Sequence, residues 1–184
     1  MAANRTGGSG QIVRWEVLPG LPGEGPVALH FHTGHRTPWA EGTVIRFWSE
    51  DGTNWVGNFK GRQDRNAKVL VWPEADAIVV QAMDNLYLVD ARSPESYTSV
   101  PSPEFALVEH LMFDAERRML FVAANTTIYA YGQDRRLAWT LRISNGYDAL
   151  LLECVDDVLT VDVEEELGGA RRTMKLSTQD GSVL

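Results

Sequence analysis

The sequence lacks the marks of a secreted or membrane protein. Its one cysteine, Cys154, can form no disulfide within the chain, which fits a reducing compartment. No apolar run approaches the ~18 residues that cross a bilayer. Residues 1–10 are rich in Gly, Ser and Asn and contain no signal-peptide core. We therefore expect a cytoplasmic protein that does not enter a membrane, with residues 1–10 as a disordered tail ahead of one domain at 11–184.

The common catalytic motifs are also missing. The chain has no Gly-rich phosphate loop, no serine nucleophile elbow and no Cys-x-x-Cys pair. Cys154 lies in the apolar run 150–155 with no histidine beside it, which is typical of a small buried hydrophobe and not of a nucleophile. A non-enzyme is therefore favoured, and no organic cofactor is expected.

Basic residues are in the minority, 17 against 25 acidic ones, for a net charge of −8. This charge repels a phosphate backbone and so argues against nucleic acid as the partner. It favours a basic protein surface as the partner and predicts no particular oligomeric state.

The sequence does contain a repeat, in which one pattern of predicted strands and turns occurs in two copies. Residues 69–90 and 111–131 share the order strand, polar turn, strand, turn, strand, and Tyr87 corresponds to Tyr129 about 42 positions later, a period typical of stacked β units. The turns are too short for crossover helices, so consecutive strands are predicted to pair antiparallel. A hairpin with Asp51-Gly52 at its turn precedes the repeat, and residues 147–176 form a more diverged unit. We predict an all-β fold of antiparallel meander repeats of about four strands each.

These repeats resemble β-propeller blades of the WD-repeat and quinoprotein-like kind. The resemblance is carried by the apolar segments 70–72, 78–80 and 86–90 and by their counterparts at 111–113, 120–122 and 128–131. It implies a propeller-like fold, either a small closed propeller or an open half-propeller or sandwich. The Gly-His and Trp-Asp signatures of WD repeats and the quinoprotein tryptophan motif are absent, so no blade-bound cofactor is implied.

A second resemblance is to small uncharacterised bacterial proteins, some of the toxin-immunity type. It is carried by the hairpin around Trp48, the strand 55–59 and the step 142–146. This resemblance implies a bacterial immunity-type inhibitor and transfers no catalytic motif.

Histidines form the first candidate site. On a strand, His30 and His32 project to the same face, and a turn at Gly34 could bring His35 to the same divalent metal ion. The stretch resembles the His-x-His of a cupin but lacks the glutamate that follows there. The alternative is a set of histidines on the solvated face of a strand and its turn.

Acidic residues form the second candidate site. Asp162, Glu164 and Glu166 recur at every second position, so a continuous strand would present them on one face. Like charges in a row repel each other, and they therefore point into water, pair with Arg171 and Arg172, or meet a cation or a basic partner. They also prevent an edge strand from pairing with copies of itself.

Among the six tryptophans, Trp39 alone lies in a Pro-containing loop, and we nominate it as a surface anchor for a partner. Together these features predict a non-catalytic protein-binding module whose acidic face, formed by Asp162, Glu164, Glu166 and Trp39, docks a basic protein. The alternative is a β protein that binds a metal or small ligand through His30, His32 and His35.

Overall fold

The structure, a computed structural model, describes residues 11–32, 41–60, 67–82, 85–100, 108–144 and 146–184, without the side chains of 108 and 109. The chain divides into two compact units, Met1–Pro101 and Ser102–Leu184. The described residues contain strands and one short 3-10 helix, and none of them forms a helix of the length and apolarity needed to cross a membrane. That residues 11–184 form a single domain stays a prediction.

Sheet A of the first unit has the strand order β1-β3-β4-β2. Its strands are β1 (Ile12–Leu18), β2 (Leu29–Phe31), β3 (Thr43–Ser49) and β4 (Asn54–Phe59). The predicted hairpin is confirmed as β3 and β4, and its turn places Gly52 at a φ of 80°, a left-handed conformation that glycine adopts without strain. Strand β2 pairs parallel with β4, so this sheet departs from a simple meander. The Pro/Gly segment 19–28 connects β1 at one edge of the sheet to β2 at the other edge.

Sheet B completes the first unit and is a meander with the order β5-β6-β7-β8. Its strands are β5 (Lys68–Trp72), β6 (Ala77–Ala82), β7 (Asn85–Asp90) and β8 (Tyr97–Val100), with the 3-10 helix at Pro73–Ala75. Sheets A and B share one apolar core. Phe31 and Phe59 of sheet A stack with their ring centroids 4.3 Å apart, and Tyr87 of sheet B packs against both rings.

The second unit repeats this arrangement with sheets C and D. Sheet C is a four-stranded meander of β9 (Val108–Asp114), β10 (Met119–Ala124), β11 (Thr127–Tyr131) and β12 (Leu137–Arg142). Sheet D has three strands in the order β13-β14-β15, namely β13 (Asp148–Val155), β14 (Val158–Glu164) and β15 (Arg171–Ser177). The predicted all-β class with antiparallel meander repeats of about four strands is therefore confirmed.

The repeat seen in the sequence is confirmed as sheets B and C. Each has a left-handed residue immediately before its second strand, Asp76 with a φ of 46° and Arg118 with a φ of 53°. Equivalent positive φ angles at equivalent turns show that the two copies share backbone geometry as well as apolar pattern. Each sheet has the four-stranded meander order of a propeller blade.

The core of the second unit lies between one face of sheet C and one face of sheet D. Phe121, Ala130 and Trp139 of sheet C meet Leu159 and Val161 of sheet D. Trp139 also donates a 2.8 Å hydrogen bond from Nε1 to the carbonyl of Thr178. This packing determines which side chains of sheet D face away from the core.

Candidate functional site

The outer face of sheet D carries three carboxylates around one arginine. Leu159, Val161 and Val163 of β14 are fully buried against sheet C, so strand alternation turns Asp162 and Glu164 to the opposite face. In the sheet register Asp148 of β13 lies opposite Glu164, and Glu164 lies opposite Arg171 of β15. We call Asp148, Asp162, Glu164 and Arg171 the carboxylate cluster.

Arg171 contacts all three acids of the cluster. Its Nε lies 2.7 Å from Asp162 Oδ2, and its Nη1 lies 3.4 Å from Glu164 Oε2 and 3.5 Å from Asp148 Oδ2. Its Nη2 also donates to the backbone carbonyl of Asp162 at 3.2 Å. The hydrogen bond to Asp162, followed by the attraction of the carboxylates, raises the pKa of Arg171, so the guanidinium stays charged. Three negative charges around one positive charge leave a local excess of two.

The remaining predicted acidic residue lies apart from the cluster. Strand β14 ends at Glu164, and residues 165–170 form a turn, so Glu166 does not continue the alternation. Glu166 is exposed, and its carbonyl accepts a hydrogen bond from Gly169 N at 2.7 Å. Glu165 pairs with Arg172, whose Nε lies 3.4 Å from Glu165 Oε1. Trp39 lies outside the described residues.

Asp148 is the cluster member that the sequence pattern did not reveal. It is separated from Asp162 by 14 positions and carries no pattern of its own, and only the strand register brings the two together. Its Oδ1 is buried and accepts no hydrogen bond from any described residue. Buried acceptors normally have a donor, so this oxygen marks a position that suits one.

Apolar side chains flank the cluster. Tyr147 precedes Asp148, is 56% exposed, and donates its backbone N–H to the Glu164 carbonyl at 2.9 Å. Leu167 is 85% exposed and lies in the turn beside Gly168, whose N–H hydrogen-bonds to Glu164 Oε1. Two exposed apolar side chains thus lie beside the residues of the carboxylate cluster in the sequence and in the backbone hydrogen bonding.

Residues 148–177, which span sheet D, have a strongly unbalanced charge. They contain eight acidic and three basic residues, a net charge of −5 out of −8 for the whole chain. The negative potential of the protein is therefore concentrated in this part of the sequence.

A second polar cluster in this unit has a structural role. Asp114 is buried at the end of β9, and its Oδ2 accepts from Arg117 Nη1 at 2.8 Å and from Cys154 Sγ at 3.0 Å. Arg117 also reaches Asp157 Oδ1 at 2.6 Å. Burial and the Asp114 carboxylate raise the pKa of Cys154 to about 12. The thiol is thus held neutral, as expected of a structural cysteine and not of a nucleophile.

The structure places two of the three predicted metal ligands side by side. The rings of His30 and His32 are parallel within 8°, with centroids 6.3 Å apart, and His30 Nδ1 lies 3.2 Å from Asn58 Nδ2. His35 lies outside the described residues. Within the described ranges no group of three or more His, Cys, Asp or Glu side chains is arranged to hold a metal ion.

The fold thus defines an all-β protein of small, mainly antiparallel sheets with an acidic outer face on sheet D. No protein-family model matches the chain, and no curated protein matches it. Among solved structures, the chain is similar to a crystal structure of BBS1N in complex with ARL6DN, soaked with mercury, at 15% sequence identity and a TM-score of 0.42. The match covers 78% of this chain and 48% of that one, so this chain spans about half the length of that neighbour.

Proposed function

We propose that the protein is a non-catalytic binding module that docks a basic protein partner on the outer face of sheet D. The observation that carries this proposal is the carboxylate cluster, in which Asp148, Asp162 and Glu164 share the single guanidinium of Arg171. A surface with this excess of negative charge is complementary to a lysine or arginine side chain.

The cluster is organised to accept further donors. Each carboxylate has about four lone-pair sites, and Arg171 occupies only part of them. Arg171 holds the three acids in place before a partner arrives, which lowers the entropy that binding must remove. Because Asp148 Oδ1 is buried, we assign the binding of a guanidinium or ammonium of the partner to the other carboxylate oxygens of the cluster.

The proposed binding mechanism has two stages. The concentration of negative charge in residues 148–177 steers a basic partner toward the face and raises the association rate at low ionic strength. The exposed side chains of Tyr147 and Leu167 then contact the partner and exclude water from the ion pairs. The most concrete form of this proposal is an immunity-type inhibitor that covers a cationic site on a toxin. Glu166, exposed in the turn after β14, extends the proposed surface. That Trp39 also binds the partner stays a prediction from the sequence.

Comparative affinity capture tests the proposal. The wild-type protein and the double variant Asp162→Asn/Glu164→Gln are immobilised and exposed to lysate of the native host, and the retained proteins are quantified by mass spectrometry. Asp134→Asn/Glu95→Gln is the matched control, since it removes the same charge from exposed positions outside sheet D. We expect a basic protein that the wild type and the control retain and the double variant loses. Equal retention of this basic protein by all three immobilised proteins would refute the claim that the acidic face binds it.

The histidine pair supports a second candidate, a site for a divalent metal or small ligand. Its support is the parallel placement of the rings of His30, on the edge strand β2, and His32, the residue after that strand. Elemental analysis of the purified protein, compared with His30→Ala/His32→Ala, tests this role. Stoichiometric metal that the substitutions remove would favour it, and partner capture should then be unaffected by them.

A further inference from the structure

Two arginines surround one tryptophan on sheet A. Arg14 of β1 lies directly opposite Trp48 of β3, and Arg46 lies two residues before Trp48 on the same face of the sheet. The Arg14 guanidinium carbon is 4.0 Å from the indole centroid, and that of Arg46 is 5.9 Å from it. Both distances are within the range of cation–π attraction, so the indole holds two like charges near each other.

No carboxylate of the described residues lies within ion-pairing distance of either guanidinium. Within the described part of the chain, Arg14 and Arg46 form no ion pair, although most arginines described in the second unit do. Glu16 lies opposite Arg46 in the ladder, yet no salt bridge joins them. The Nε of Arg46 is buried and has no hydrogen-bond partner among the described residues. Because this Nε–H is buried, a ligand would meet the Arg46 guanidinium through its other N–H groups.

The geometry suits an anion that accepts several hydrogen bonds. An arginine stacked on an aromatic ring still presents its N–H groups at the edge of the guanidinium plane, where they can form paired bonds to an oxyanion. Cross-strand diagonal neighbours such as Arg14 and Arg46 are close enough for long side chains to meet. The guanidiniums of Arg14 and Arg46 can thus both donate hydrogen bonds to one anion.

We propose that Arg14, Trp48 and Arg46 form a binding site for a phosphate monoester. Such a group carries a charge of about −1.5 to −2 at pH 7 and three acceptor oxygens, which match two guanidiniums better than a singly charged carboxylate does. The site is on the first unit and has the opposite charge to the carboxylate cluster, so it is independent of the proposed function. It takes a single phosphate group, borne on a small molecule or on a protein side chain.

The test is a titration followed by ³¹P NMR at pH 7.5, with phenyl phosphate as the probe. The wild type should shift and broaden the phosphorus signal in a saturable way. Arg14→Gln and Arg46→Gln should each weaken binding by about tenfold, since each removes a charge-assisted contact. Arg46→Lys should also weaken it, because lysine keeps the charge but loses the planar fork. Arg142→Gln, which removes an exposed strand arginine of the second unit, should bind as the wild type does.

Additional probes and conditions sharpen this test. Arg14 is exposed, so Arg14→Gln should fold normally and serves as the main variant if Arg46→Gln lowers the melting temperature. Inorganic phosphate and a short phosphotyrosyl peptide are compared with phenyl phosphate. Equal affinities of phenyl phosphate and the peptide assign the site to a phosphate group on a small molecule, and tighter binding of the peptide assigns it to a modified protein. Affinity should fall from pH 7.5 to 5.5 as the phosphate gains a proton. Absence of saturable binding, or equal losses in Arg14→Gln and Arg142→Gln, would overturn the proposal.

Discussion

Arg171 Nε lies 2.7 Å from Asp162 Oδ2 on the neighbouring strand, yet Asp162 is not the only acid that Arg171 contacts. The same guanidinium also contacts Asp148 and Glu164, so it organises the carboxylates without neutralising them. This relationship separates the carboxylate cluster from an ordinary surface ion pair, which contributes little to either stability or recognition. The cluster is therefore the basis of the proposed function.

Substitution of Arg171 should speed the association of a basic partner. Arg171→Gln removes the only cation in the cluster and makes the local charge more negative, so the association rate should rise by roughly threefold or more at low salt. Surface plasmon resonance with the captured basic protein measures this rate. Arg172→Gln is the control, because Arg172 pairs with Glu165 outside the cluster. A slower rate for Arg171→Gln would contradict the claim that the net negative charge of the cluster steers the partner.

Loss of Asp114 should destabilise the protein. Asp114→Ala leaves the N–H groups of Arg117 and the thiol of Cys154 without their buried acceptor, and we expect about 3 kcal/mol less unfolding free energy. Urea denaturation followed by tryptophan fluorescence measures the difference. Asp134→Asn, at an exposed turn, should change the stability by less than about 0.5 kcal/mol. Similar values for the two variants would contradict the structural role of Asp114.

Cys154 should react slowly with alkylating agents. Because burial and Asp114 raise its pKa to about 12, very little thiolate is present at pH 8, and alkylation by iodoacetamide should be roughly a hundredfold slower than for a free cysteine. Asp114→Asn should accelerate the reaction, since it removes the nearby negative charge. Mass spectrometry of timed samples provides the rates.

The raised pKa of Cys154 also predicts how the free energy of unfolding depends on pH. The unfolded thiol ionises near pH 9 and the folded one only near 12, so the unfolded state loses its proton first. The contribution of Cys154 is therefore fully present below pH 9 and declines as the pH rises from 9 toward 12. Cys154→Ala should lack this part of the decline in urea denaturation at high pH. An identical pH profile in both proteins would contradict the raised pKa.

Gly57 should tolerate no side chain. A Cβ at this position would lie 2.5 Å from Phe59 Cε2 and 3.0 Å from Phe31 Cε2, inside the stacked pair of rings. Gly57→Ala should therefore cost about 1–3 kcal/mol through overpacking. Gly23→Ala is the control, since nothing lies within 4 Å of its Cβ and its backbone is not left-handed. Thermal unfolding of the two variants distinguishes them, and an equally stable Gly57→Ala would contradict the described core.

The local parts of the fold could be predicted from the sequence because they depend on neighbouring residues. The Asp51-Gly52 turn determines the β3–β4 hairpin, and short turns determine the meanders of sheets B and C. The parallel pairing of β2 with β4 could not be predicted, since Leu29–Phe31 is too short to carry a pattern and its partner is distant in sequence. Pairings of this kind depend on tertiary packing and not on local propensity.

In the candidate site, too, residues of one strand could be predicted from the sequence and contacts between strands could not. Asp162 and Glu164 were identifiable because they alternate within one strand, and Glu166 was placed with them only because the pattern did not show that β14 ends at Glu164. Asp148 joins them through cross-strand register, as Arg14 joins Trp48. Register across strands is set by which faces are buried, so contacts that depend on it become visible only in the structure.

The most direct test of the acidic face is the ionic-strength dependence of association. Stopped-flow measurements compare the wild type with Asp162→Asn/Glu164→Gln, using the basic protein that the wild type retains. The wild-type rate should fall steeply between low and physiological salt, and the variant should start slower and change little, because screening acts only on the charges that steer the encounter. Equal rates with equal salt dependence in both proteins would contradict the claim that these carboxylates recruit the partner.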